Sequence, residues 1–200
     1  MTSPATSLTP YPVQLELNAP LKVARWRPLV HWLLAIPHFV ILYALILVQR
    51  VVYIIAWFAI LFTGRMPDGL FGFNVMVMRY SWRVTSYLLF MREGYPPFEF
   101  STEGADVGTD PAHLSVVPAA KLSRGLIFVK WLLVIPHYFV LLFLGIAVYF
   151  VMIIGFFAVL ITGSWPAGLR NYVVGVVRWS NRVTAYLYLL TDAYPPFSLS

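Results

Sequence analysis

Two arginine pairs, Arg79 with Arg83 and Arg178 with Arg182, stand four residues apart inside segments that otherwise read as apolar helix. That spacing puts both side chains of a pair on one helix face, where like charges repel. All eight acids lie elsewhere, at Glu16, Asp68, Glu93, Glu99, Glu103, Asp106, Asp110 and Asp192. Neither pair therefore has an acid at its own depth along its helix. A guanidinium so placed needs an anion, and its planar fork suits phosphate oxygens. The pairs are expected to snorkel to the headgroup layer and hold anionic lipid. A sharper reading is a specific anionic-lipid or substrate-anion site between the two segments, and a third is the carboxylates of a partner subunit.

Two histidines raise a second kind of chemistry. His38 and His137 each follow Ile-Pro, and at equal depth two imidazoles could ligate a haem or a chlorin from either side. Against this, a histidine directly after proline near a helix start ordinarily bonds locally or faces the interface, and no second histidine recurs a turn away. His31 and His113 have no histidine counterpart. Thr63-Gly64-x-x-Pro67-x-Gly69 lacks the Lys-Ser/Thr of a phosphate-binding loop and reads as a turn opening the next helix. Ser81 and Ser180 have arginine neighbours but no histidine or acid at helical spacing, so no nucleophile is activated. The absence of cysteine excludes disulfides, Cys-ligated zinc and iron–sulfur clusters. The expectation is of no catalytic residue, no metal site and no enzyme.

The elements that position these residues occur twice. Offset by 99 residues, Trp32-Leu33-Leu34 meets Trp131-Leu132-Leu133, and Ile36-Pro37-His38 meets Ile135-Pro136-His137. The register holds through Arg79-x-Ser81-x-Arg83-Val84-Thr85 with Arg178-x-Ser180-x-Arg182-Val183-Thr184, to Tyr95-Pro96-Pro97-Phe98 with Tyr194-Pro195-Pro196-Phe197. About 38 of 91 pairs are identical without a gap, which is duplication and not shared composition. The organisation is a tail (1–10), a first repeat unit (11–101), a linker (102–109) and a second unit (110–200). The copies differ where Trp82 faces Asn181 and Gly94 faces Ala193.

The combination of I-P-H, a long apolar run, T-G-x-x-P-x-G-L, R-x-S-x-R-V-T-x-Y and Y-P-P-F resembles the bacterial membrane family catalogued as domain of unknown function 4389. The resemblance covers nearly the whole chain, twice. It implies a bacterial membrane protein of tandem units and brings no activity with it.

Composition supports the membrane setting independently. Of the 200 residues, 60% are hydrophobic and 11% charged, against roughly 25% charged in soluble domains. The net charge of +6 is scattered, so its natural counter-ion is anionic lipid and not nucleic acid. Residues 1–20 carry neither a basic nor an apolar signal region, so the first membrane segment is expected to act as its own insertion signal.

Within each unit, a short alternating segment (13–17, and more weakly 113–117) is followed by a basic approach. Lys22, Arg25 and Arg27 form that approach in the first unit, matched by Lys121, Arg124 and Lys130 in the second. Apolar runs then span 32–62 and 131–161, about 46 Å as helix against a hydrocarbon core of about 30 Å. Each is either one tilted helix kinked at Pro37 or Pro136, or a hairpin turning near Gln49-Arg50 and near Gly145; the basic bias leans to the hairpin. The segments 70–91 and 169–190 project as amphipathic helices able to lie in the interface.

The fold class expected is an all-α integral membrane protein of two tandem helical repeats with four membrane-embedded passes. A small cytoplasmic β layer from 13–17, 98–101, 113–117 and 197–200 would cap it. Location in a bacterial cytoplasmic membrane is expected, with both termini cytoplasmic. The function expected is a non-enzymatic scaffold or accessory subunit of a larger membrane complex that binds anionic lipid, with membrane lipids and other membrane-protein subunits as partners. A transporter or channel for a small anion or lipid, and a membrane-shaping hairpin protein, are the alternatives.

Overall fold

A computed structural model describes residues 11–200; the tail (1–10) lies outside the described residues. The order is β1 (Val13–Leu17), α1 (Arg27–Leu34), α2 (Ile36–Thr63), α3 (Asp68–Leu88), β2 (Ala112–Val116), α4 (Leu126–Leu133), α5 (Ile135–Thr162) and α6 (Ala167–Leu187). The protein is mostly helical with a small two-stranded sheet, and two helical stretches, Ile36–Thr63 and Leu126–Thr162, are long and apolar enough to cross a membrane.

Proline and glycine set the helix ends. Pro37 lacks an N–H and its ring opposes continuation of the preceding turn, so α1 stops at Leu34 and Pro37 enters the first turn of α2. Pro136 does the same between α4 and α5. Gly64 and Gly163 end α2 and α5 at φ of 70° and 72°, a left-handed conformation that glycine adopts without steric cost.

The hairpin reading of the apolar runs is corrected. α2 and α5 are each continuous over 28 residues, with no turn at Gln49-Arg50 or Gly145. Gln49 is buried, and its amide donates to Asn74 Oδ1 at 3.0 Å. A polar residue that suggested a turn is instead a contact between α2 and α3.

The reading of the second segments as interfacial helices is also corrected. Both α3 and α6 are largely buried: one face meets α2 or α5, and the other meets the sheet. Their half-polar surface matches a polar backbone neighbour and not water.

β1 and β2 pair antiparallel, Leu15 opposite Leu114 at the centre. The expected β layer is thus present in two strands, with Val13 and Leu15 inward and Gln14 and Glu16 outward. Segments 98–101 and 197–200 do not join it. The strands are exchanged between repeats: β2 lies on α3, and β1 on α6. Sheet, α3 with α6, and α2 with α5 form three layers, and the principal core, including Leu15, Val75, Trp82, Leu114, Val173 and Trp165, fills the space between them.

Candidate functional site

The first arginine pair lies beneath the sheet, and its anions come from the linker and the residues flanking it. Arg79 Nε sits 3.2 Å from Asp106 Oδ2, while Arg83 reaches Asp106 Oδ1 at 3.0 Å and Glu99 Oε2 at 2.7 Å. Arg92 pairs with Asp110, which also approaches Arg83. Asp106 is further fixed by the Leu114 N–H at 3.1 Å, and Arg79 donates to the carbonyls of Leu114, Ser101 and Glu103. Arg79, Arg83 and Asp106 are at most 3% exposed. The expectation that this pair lacks an acid is therefore corrected: the chain folds its own carboxylates back over it, from beyond the reach of helical spacing.

The second pair is built differently. Arg178 donates to the carbonyls of Leu15 and Leu199 at 2.9 and 2.8 Å, matching the backbone contacts of Arg79. Arg182 is buried without an ion pair among the described residues and faces the Tyr11 ring at 5.6 Å. Tyr11 occupies the repeat position of Asp110, so a π face stands where the first repeat has a carboxylate. Burial pushes the Tyr11 hydroxyl above its ordinary range, with the Arg182 charge opposing.

The two paired histidines are enclosed by their own repeats. His38 Nδ1 meets the Tyr80 hydroxyl at 2.6 Å, and its ring lies against Phe98 and Tyr95 with centroids 4.6 and 4.7 Å away. His137 Nδ1 accepts from Trp179 Nε1 at 3.0 Å and stacks on Phe197 at 4.0 Å, with Tyr194 at 4.8 Å. Tyr-Pro-Pro-Phe thus folds back as a lid on Ile-Pro-His, its aromatic rings packing on each imidazole, and each Nδ1, one of the two nitrogens through which a haem or chlorin could be ligated, is engaged within its own repeat. Both Nε2 atoms are buried without a protein partner among the described residues.

Lys130 takes the place of His31 and not of Arg27, correcting the sequence alignment of the basic approach. His31 Nδ1 donates to the Tyr87 carbonyl at 2.7 Å and its ring stacks on Tyr87 at 3.9 Å. Lys130 lies over Tyr186 at 4.7 Å and pairs with Asp192 at 2.7 Å.

Five of the exposed cations gather elsewhere, while the sixth, Arg50, stands midway along α2. Where α2 ends, the Leu122 N–H donates to the Gly64 carbonyl at 2.9 Å. A depression of about 490 Å³ there is lined by Thr63, Arg65, Lys121 and Arg124. Its counterpart at the end of α5, where the Val23 N–H meets the Gly163 carbonyl at 3.0 Å, carries Lys22 and Arg25. These five cations make no ion pair among the described residues. Sequence reading saw the repeat of Lys22 and Arg25 in Lys121 and Arg124, but not that each pair meets the far end of the other unit's apolar helix.

Between the repeats a cavity of about 460 Å³ is lined by Ser81 and Ser180, Thr85 and Thr184, and by Gln49 and Asn181. Hydroxyls and amides share the lining with Ile46, Val77, Met78 and Val177, and no charged side chain among the described residues lines it. No group of three or more potential metal ligands occurs among the described residues.

A family model described as Domain of unknown function (DUF4389) matches residues 25–99 and again 124–198. The chain belongs to this family. No curated protein and no solved structure matches it. The two DUF4389 matches contain both arginine pairs, both histidines and their aromatic lids. They leave out both strands and the linker acids Glu103, Asp106 and Asp110. The neutralisation of Arg79 and Arg83 is thus supplied chiefly by sequence outside the matched units.

Proposed function

We propose that this tandem DUF4389 protein is a non-enzymatic, membrane-embedded scaffold or accessory subunit that binds anionic lipid through the basic depression at the end of α2 and the equivalent cations at the end of α5. The observation that carries the reading is the set of exposed cations Lys22, Arg25, Arg65, Lys121 and Arg124 at the ends of α2 and α5, unpaired among the described residues. Those helices expose aliphatic and aromatic side chains along most of their length, among them Val40, Val51, Phe62, Phe139, Phe150 and Ile161. Apolar area next to basic groups is the pattern that anionic bilayers attract, at about 1 kcal/mol per cation near the surface. The family resemblance and the basic bias favour a bacterial cytoplasmic membrane with the sheet, linker and termini on the cytoplasmic side. Arg79 and Arg83 are buried and paired with carboxylates inside the fold, so the lipid-binding role passes from the arginine pairs to the exposed cations at the ends of α2 and α5.

Flotation with vesicles of phosphatidylcholine alone, or containing one-third phosphatidylglycerol, tests the proposal. Preference for the anionic vesicles is expected, and Arg65→Gln, Lys121→Gln and Arg124→Gln together should weaken it by about 100-fold at low salt. An anionic preference undiminished in the variant would refute the site. The alternative, a carrier, draws on the hydroxyl-lined cavity between the repeats; uptake of a small polar solute by loaded vesicles, lost in Ser81→Val with Ser180→Val, would favour it.

A further inference from the structure

The contacts between repeats fix how the helices lie. The repeats are related by an approximate twofold axis passing through the Leu15–Leu114 pair at the centre of the sheet. Equivalent contacts confirm it: Arg79 Nε to the Leu114 carbonyl and Arg178 Nε to the Leu15 carbonyl, both at 2.9 Å. Atoms exchanged by a twofold share one height along its axis, so Gly64 and Gly163 are level. The Val23 N–H touches the Gly163 carbonyl, so Val23 is level with Gly64. Ala24 is held in turn by the Glu93 carboxylate, which brings the chain beyond α3 to the same height.

α3 begins four residues after Gly64 and ends five before Glu93, and Arg79 near its middle holds the Leu114 carbonyl at the axis, so it passes beneath the sheet. α2 is about 42 Å long, yet it starts only a short turn and the eight-residue α1 away from Val23. That link covers at most about 27 Å along the axis. α2, which ends at the height of Val23, must therefore lean at least about 50° from the axis. The same holds for α5.

The polar layer fixes the axis relative to a bilayer. An axis lying in the membrane plane would stand α2 and α3 upright. It would also place the sheet, the irregular linker and the exposed Glu16, Glu99 and Glu103 at the depth of the lipid tails. Unpaired backbone and carboxylates are not tolerated there. An axis along the membrane normal puts the sheet in water, the exposed cations at headgroup height, and α2 and α5 below them.

We infer that the apolar face formed by α1, α2, α4 and α5 docks into a single leaflet of an anionic bilayer, with α2 and α5 lying along the membrane and crossing it nowhere. The inference rests on the lipid-binding reading above and replaces the four passes expected from sequence. One helix layer is about 10 Å thick and one leaflet's hydrocarbon about 15 Å, so the layer fits without reaching the opposite side. Five of the exposed cations then ring the embedded face where lipid phosphates lie, and Arg50, midway along α2, borders Leu187 and Tyr188 at the end of α6.

The chain has no cysteine, so a double variant reports the arrangement directly. Ser123→Cys and Ala167→Cys are exposed positions flanking α4 and α5. The full-length protein in vesicles containing one-third phosphatidylglycerol is treated with a membrane-impermeant maleimide, and intact protein is weighed by mass spectrometry. In-plane helices put both thiols on one side, so molecules carry two labels or none, whichever way they inserted. A helix that crosses puts the thiols on opposite sides, and a population carrying one label each would overturn the inference while leaving lipid binding intact. Failure of the protein to float with the vesicles would instead overturn the lipid reading and this inference with it. Nitroxide labels at Phe139, Phe150 and Ile161 give a second readout: similar depths support the inference, and a maximum at Phe150 flanked by two shallow ends overturns it.

Discussion

Asp106→Asn keeps the shape of the side chain and removes the charge shared by Arg79 and Arg83. Breaking a buried ion pair in this way costs about 3 kcal/mol. Glu99→Gln, at a side chain 43% exposed, should cost less than about 1 kcal/mol. Denaturant unfolding in detergent micelles would compare them, and equal losses would show that Asp106 is not the anchor. Arg182→Met, which removes a buried cation that has no carboxylate among the described residues, should be neutral or stabilising. The pH dependence has a definite sign at His31, whose burial pushes its pKa below 6.5 against the opposing pull of the Tyr87 carbonyl. The unfolded chain takes up the proton at a higher pH than the folded one. His31 therefore contributes stability above pH 6.5 that is lost as pH falls below it. A flatter stability profile from pH 7 to 5 in His31→Phe would bear this out, and an unchanged slope would not. The arginines themselves were legible in sequence because their spacing isolates them from any acid. Their partners were not, because Asp106 lies more than 20 residues onward, and helical periodicity sees only one turn.

Between elements, one close approach distinguishes the repeats. A Cβ at Gly155 on α5 would come within 2.2 Å of the Trp165 ring, and that indole donates to the Phe90 carbonyl at 2.9 Å. The equivalent residues in the first repeat are Ala56 and Met66, a larger helix residue facing a narrower side chain. Gly155→Ala should therefore destabilise by about 1 to 3 kcal/mol through overpacking, despite alanine's better helix propensity. Trp165→Met in the same chain should recover much of the loss; thermal melts of the single and double variants would show it, and a stabilised Gly155→Ala alone would refute the contact. Helix ends were readable because proline and glycine act locally: Pro37, Pro136, Gly64 and Gly163 all fall at boundaries. The continuity of α2 was not readable. Gln49-Arg50 in an apolar run has the local signature of a turn, and the Asn74 that satisfies Gln49 lies on the next helix.

At the scale of the molecule, exchange of strands means that neither repeat is complete alone. Residues 102–200 by themselves keep β2 and the acids Asp106 and Asp110 but lose the helix beneath them. Two such fragments could restore the arrangement reciprocally, each strand lying on the other copy's α6 beside Arg178 and Arg182. We expect the fragment to be a dimer in detergent by light scattering, with Asp106→Asn weakening it; a folded monomer would contradict the exchange. The duplication was plain from the 99-residue register, while the exchange was hidden, because a repeat announces equal parts without saying which copy each part touches. The same exchange sets an order in time. β1 leaves the ribosome well before α6, and its Leu15 carbonyl waits for Arg178, 163 residues later. At about 5 to 20 residues per second that interval is on the order of 10 to 30 s. Throughout it the strand has no helix to lie on, and Gln14 and Glu16 on its outer face are the residues that keep it dissolved and away from wrong neighbours.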